Sequence, residues 1–214
     1  MSDALRTRLA ANLASFERIP AHRPDLRQAS VAVCVLPGPI AASGTVLAGT
    51  GETLLITRRA RGLRQHAGQW ALPGGRRDAG ESAEGAALRE LQEETGVDLP
   101  ASAVLGMLDD YVTRSGYVIT PVVVWGGDAA DRSADLQGSP GEVARIFQVP
   151  IADLDVEPDL LRIPESDAPV IRLPLLGGHV HAPTAAIIYQ FCQAGLHGRA
   201  ARVAHLDAPV RLWR

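Results

Sequence analysis

Near the start of the chain, Leu5, Leu9, Leu13 and Phe16 recur at intervals of four, four and three. That is one stripe of an amphipathic helix over residues 3–17, closed by Ile19-Pro20. The pattern then changes period. Ala29–Leu36 and Thr53–Thr57 are short apolar runs that predict buried strands, with a Gly/Pro/Ser/Thr loop across 38–51 between them. Pro73-Gly74-Gly75 breaks the chain, and Ser82 is an N-cap for a helix reaching Thr95, with Gly96 as its C-cap. Val104–Leu108, Tyr111–Thr113 and Tyr117–Trp125 predict further strands, the last two joined by a turn at Arg114-Ser115-Gly116. A loop over 126–141 leads to a strand at Val143–Val149 and a short helix near 151–155. Residues 156–169 carry Pro158, Pro164 and Pro169 and read as irregular. A hairpin of Ile171–Leu175 with Gly178–His181, a helix over Ala182–Gly195 and an irregular tail from 198 complete the chain. Irregular alternation of strands and helices predicts a mixed α/β sandwich with an N-terminal helix.

Composition narrows the function. The 214 residues hold 21 basic and 24 acidic side chains, a formal charge of −3, and every basic residue is arginine. A net acidic chain lacks the basic surplus of a general nucleic-acid binder. The absence of lysine excludes a Schiff-base or lysine proton-transfer mechanism. Cys34 and Cys192 both sit in apolar runs, reading as small core residues in a reducing, cytoplasmic setting. The first residues include Asp3, Arg6 and Arg8 and no unbroken apolar run, so they do not form a signal peptide; no apolar run is long enough to span a membrane.

The charges are ordered along the chain. Residues 58–77 contain six arginines and no acid, whereas 78–98 contain seven acids against Arg89 alone. On the predicted helix, Glu90 and Glu94 lie four apart on one face, with Glu93 beside them. Like charges at that spacing destabilise a helix by about 0.2–0.5 kcal/mol per pair. A hard divalent cation, which prefers carboxylate and carbonyl oxygens, resolves the conflict. Gly74 and Gly75 let backbone approach a ligand closely, so a carbonyl of Gly74 is a further candidate metal ligand.

Gly75, Glu81 and the run Arg89-Glu90-Leu91-Gln92-Glu93-Glu94-Thr95-Gly96-Val97 have the spacing of the Nudix box, and on these residues the chain resembles the Nudix hydrolase superfamily. The resemblance implies a Nudix-type α/β/α sandwich with a mixed sheet. It also implies hydrolysis of a nucleoside diphosphate linked to another group, with Mg²⁺ or Mn²⁺ held by Glu90, Glu93 and Glu94. Gly75, Glu81, Arg89 and Gly96 would be structural, Glu81 as a partner of Arg89. Upstream, Leu55, Thr57, Arg59, Ala60, Arg64, Gly68, Pro73, Gly74 and Gly75 are similar to the signature of Nudix coenzyme A pyrophosphatases. Ile56 stands there for Leu and Leu72 for Phe, and His179–Thr184 replaces a Trp-Gly-Ala-Thr-like run.

Arginine forks pair well with phosphate, so Arg58, Arg59 and Arg64 are candidate substrate-binding residues, with His66 as a further one. A fourth acid often comes from a later loop in such enzymes; Asp109, Asp110, Asp128, Asp131, Asp135 and Glu142 are available, and Glu142, which opens a strand, is preferred as an additional catalytic group. The domain would span 28–197, between an N-terminal helical extension (1–27) and a C-terminal tail (198–214), both of which are candidates for a homodimer contact or a cover for the core. The expected partner is a small-molecule diphosphate, with no nucleic acid and no membrane. Coenzyme A or an acyl derivative leads as substrate. NADH, ADP-ribose or a nucleotide sugar is the alternative, and a non-catalytic nucleotide-sensing module is the reading from a different class.

Overall fold

In a computed structural model the described residues are 2–36, 45–47, 51–60, 68–127, 136, 138–139 and 141–207. In chain order the elements are α1 (Ser2–Ser15), β1 (Arg27–Leu36), β2 (Thr45–Leu47), β3 (Thr53–Arg59), β4 (Trp70–Ala71), β5 (Gly74–Arg76) and α2 (Ala83–Thr95). There follow β6 (Val104–Met107), β7 (Tyr111–Val112), β8 (Tyr117–Trp125), β9 (Val143–Pro150), β10 (Asp159–Leu161), β11 (Val170–Leu173), β12 (Val180–His181) and α3 (Thr184–Gln190).

The most apolar strands take the middle of the main sheet, because both of their faces are covered. Its order is β2-β9-β3-β1-β8-β6. β1 runs parallel to β8 from Arg27↔Tyr117 to Val35↔Trp125 and antiparallel to β3. β9 lies antiparallel to β3 and β6 antiparallel to β8, so the sheet is mixed. Period-two alternation then splits the core. Ala32, Cys34, Leu36, Leu55, Val122 and Val124 meet Ala83, Ala87 and Leu91 of α2 on one face. Val33, Val35, Leu54, Ile56 and Val123 meet Leu5, Leu9 and Leu13 of α1, and Ala185, Ile188 and Phe191 around α3, on the other. The result is the expected α/β/α sandwich. The leucine stripe of α1 is buried at its four-residue period, and both cysteines are buried and unpaired. No described helix is long and apolar enough to cross a membrane.

Several expectations need correction. The 38–51 stretch contains β2, paired parallel with β9, and 156–169 contains β10, paired antiparallel with β11. Both strands have only three residues, too few for a period to show. Gly74 and Gly75 do not interrupt structure but form β5 against β1, with Ser30↔Gly75 and Val31↔Gly74 in register. A Cβ on Gly74 would stand 2.4 Å from the Ser30 carbonyl oxygen, so the glycine reflects close strand approach and not a turn. The last helix starts at Thr184, after Pro183, and continues from Phe191 to Leu196 as a π-helix.

Candidate active site

α2 is bounded as its sequence dictates. Ser82 Oγ accepts from the Gly85 N–H at 3.0 Å, and Gly96 takes the left-handed conformation (φ 77°) while its N–H reaches the Gln92 carbonyl. With Ala83, Ala86, Ala87 and Leu91 buried against the sheet, the glutamates at 90, 93 and 94 are carried toward the edge of that contact. Glu93 is exposed, whereas Glu94 keeps only 5% of its surface.

Arg89 organises this end of the site. Its Nε and Nη2 donate to Glu81 Oε1 and Oε2 at 2.9 and 3.1 Å, a two-pronged pair that fits a planar carboxylate. Nη1 donates to Glu90 Oε1 at 2.9 Å and Glu93 Oε2 at 3.1 Å, and Nη2 also reaches the Arg76 carbonyl at 3.0 Å. Glu81 takes a further bond from the Asp78 N–H, and the Arg89 pairing followed by that bond lowers its pKa. Gly75 leaves room for Glu90, whose Oε1 would lie 2.2 Å from a Cβ there.

Glu94 is the most perturbed carboxyl. Burial pushes its pKa up to about 7, with smaller upward effects from Glu90 and Glu142; Arg59 and the Gly74 N–H oppose them. Gly74 N donates to its Oε2 at 3.3 Å, and Arg59 Nη1 lies 3.8 Å from Oε1. Arg59 Nε is buried and has no hydrogen-bond partner among the described residues. Glu90 is also raised by burial, against the pull of Arg89. Glu142 is exposed and joins the site from β9's approach, its carbonyl accepting from the Ala60 N–H at 2.8 Å. Its charge reaches both Glu90 and Glu94. Among the described residues, no three His, Cys, Asp or Glu side chains are gathered closely enough to hold an ion as they stand, because Glu90 and Glu93 are drawn onto Arg89.

The described arginines of the block go different ways. Arg58 and Arg59 are neighbours on β3, so they leave opposite faces of the sheet. Arg59 joins the carboxylates, while Arg58 lies over the Trp70 ring at 5.1 Å and donates to the Gly68 carbonyl. Trp70 meets Phe147 edge-on at 4.6 Å, and its carbonyl accepts from Thr184 Oγ1. Arg76 sits over Tyr117, and Arg77 turns inward to Ser30 and Thr120. Arg61, Arg64 and His66 lie outside the described residues, as do Asp128, Asp131 and Asp135. Asp109 and Asp110 are engaged elsewhere. Asp109 accepts from Arg202, Gln190 and the Ile19 N–H; Asp110 accepts from Arg18, Thr120 and the Ala21 N–H. The inward role of Arg77 left no signal in a linear charge count. Its only hint is a second arginine directly after Arg76, since neighbours in extended backbone face opposite sides.

The chain is 41% identical over 102 residues to an uncharacterized Nudix hydrolase, NudL, of Photorhabdus laumondii, covering 47% of this chain and 52% of that protein. It is 41% identical over 100 residues to the protein of the same description from Yersinia pestis, covering 46% and 48%. The chain thus spans about half the length of these curated relatives. Among solved structures, a MutT/nudix family protein from Enterococcus faecalis aligns over 82% of this chain and 64% of its own, at 16% identity and a TM-score of 0.49. The model of the NUDIX domain matches residues 38–173, which takes in β3, the glycine pair, all of α2 and Glu142, and on that match the chain belongs to the Nudix family.

Proposed function

We propose that the protein is a divalent-cation-dependent pyrophosphohydrolase acting on a small nucleoside diphosphate derivative, with coenzyme A or an acyl derivative as the leading substrate. One observation carries the reading: the end of β3 and the last turns of α2, 35 positions apart from Arg59 to Glu94, place an arginine with an unsatisfied buried Nε beside a buried carboxylate. A buried donor without an acceptor is costly in the free protein, and an anionic phosphate oxygen would relieve it.

The donor set suits a hard cation such as Mg²⁺ or Mn²⁺, since Glu90, Glu93 and Glu94 are all oxygen donors on neighbouring turns with Glu142 close in charge. These residues would hold it, with the Gly74 carbonyl as a further candidate. A cation there supplies neutralisation of the diphosphate and activation of water. The chain's own side chains do the rest. Arg59 binds phosphate oxygen; Arg89 holds Glu81, Glu90 and Glu93 on its guanidinium. Glu94, whose pKa burial raises to about 7 in the metal-free chain, would be drawn to its charged form by a bound cation. Arg64 and His66 remain candidates for the substrate's outer phosphate, and Arg58 for a contact on the opposite face.

Coenzyme A is favoured over NADH, ADP-ribose or a nucleotide sugar by the run from Leu55 to Gly75. Hydrolysis of these compounds side by side with Mg²⁺ and Mn²⁺ tests the reading. Cleavage of coenzyme A with the highest kcat/KM is expected. Loss of turnover in Glu93→Gln and Glu94→Gln, with folding retained, is expected too. Full activity in both would remove the carboxylate assignment.

A further inference from the structure

We propose that Arg77 is a positioning residue for the carboxylate site, fixing the peptide on which Arg89 rests; this builds on the hydrolase reading above. The peptide unit between residues 76 and 77 has two ends. Its N–H, on Arg77, donates to the Gln28 carbonyl of β1 at 3.1 Å, and its C=O, on Arg76, accepts from Arg89 Nη2 at 3.0 Å. The unit is planar with N–H and C=O opposed, so holding one end aims the other. Arg89 in turn holds Glu81, Glu90 and Glu93.

The Arg77 side chain holds this unit from the core side. Nε donates to Ser30 Oγ of β1 at 2.9 Å, and Nη2 donates to Thr120 Oγ1 of β8. Thr120 gives its single proton to Asp110 Oδ1 at 2.5 Å, so it must accept from the guanidinium. Asp110 is closed off by Arg18 Nη2 at 2.6 Å and the Ala21 N–H at 2.9 Å. Asp110, Glu84 and Glu81 face the guanidinium with favourable charge and Arg18 with unfavourable charge. A half-buried guanidinium is held on β1 and β8 at once, which a solvated phosphate-binding arginine would not be.

The test compares Arg77→Met, Arg77→Lys, Thr120→Val and Thr120→Ser in the full chain. Arg77→Met leaves Asp110 paired to Arg18 and Ala21, and Thr120→Val keeps the side-chain shape. Mn²⁺ binding is read by the paramagnetic signal of free ion, and kcat and KM are read on coenzyme A. Arg77→Met and Thr120→Val should each weaken Mn²⁺ binding and lower kcat by about tenfold or more, the scale for groups that orient metal ligands, with KM little changed; Thr120→Ser should restore both. Unaltered Mn²⁺ affinity and kcat below the unfolding temperature, with only a lower Tm, would overturn the proposal. If Arg77→Met does not fold, the Thr120→Val and Thr120→Ser pair decides alone. If the wild-type chain cleaves no diphosphate yet Mn²⁺ binding falls in the variants, the hydrolase reading fails and the positioning role stands.

Discussion

Replacing Glu94 with glutamine should stabilise the metal-free chain at pH 8, although it removes a carboxylate from the site. In the folded protein this carboxyl titrates near 7, against an ordinary 4.5, chiefly because burial penalises the charge. Between those values the folded state keeps the proton and the unfolded state has released it. The unfolded state therefore binds fewer protons, and stability falls as pH rises through the window. The displacement corresponds to a destabilisation of ~3 kcal/mol, absent below about pH 4 and fully developed above about pH 8. Glutamine escapes that penalty and still accepts from the Gly74 N–H, but leaves Arg59 without its partner at 3.8 Å. A net gain of ~1–3 kcal/mol at pH 8 is expected, set against total stabilities of about 5–15 kcal/mol. The assay is equilibrium urea unfolding in EDTA, followed by tryptophan fluorescence, at pH 5 and pH 8 for both chains. Near-equal stability at pH 5 and a more stable Glu94→Gln at pH 8 is the predicted pattern. Some slope should persist in the variant, because burial raises Glu90 in the same direction. A variant no more stable than wild type at pH 8 would refute the reasoning. Added Mg²⁺ should stabilise wild type at pH 8 more than the variant, by preferential binding to the folded state.

Other perturbations separate the parts of the site. Gly75→Ala places a methyl group 2.2 Å from the native Glu90 Oε1, so the carboxylate must move; turnover should fall at least tenfold with a small change in Tm, measured by parallel kinetics and calorimetry. Gly74→Ala meets backbone at 2.4 Å and should instead destabilise the fold by ~2 kcal/mol or more in a urea melt. Arg89→Met leaves Glu81, Glu90 and Glu93 without their shared cation, and its Tm should fall below that of wild type, read by calorimetry. Asp109→Ala strands Arg202, Gln190 and the Ile19 N–H, and should cost ~2–4 kcal/mol. Hydrogen exchange should rise first around residues 16–21 and 199–207, the segments that Asp109 joins.

The site's helix was legible because everything that defines it is local. Ser82 and Gly96 cap α2 by hydrogen bonds within four residues, and the apolar face at 83, 87 and 91 repeats at helical period. The leucine stripe of α1 and the long strands β1, β3, β8 and β9 were legible for the same reason. Short strands were not: β2, β5 and β10 exist because a neighbouring strand offers partners, and β5 depends on how closely Gly74 can approach Ser30.

Side-chain direction divides what the chain itself determined from what tertiary structure decided. Sequence determined the order of charge, arginines and then acids, and the i,i+4 pairing of Glu90 with Glu94. It could not say that one arginine of the block meets Glu94, one lies on Trp70, one over Tyr117 and one on Ser30 and Thr120. Those fates follow from which sheet face each strand position occupies, and from partners on β1 and β8 that lie 43 to 47 positions from Arg77 in the chain. The elevated affinity of Glu94 for its proton has the same origin. An isolated helix would leave that carboxyl in water; only docking against β5 and β3 removes the water and raises the cost of its charge.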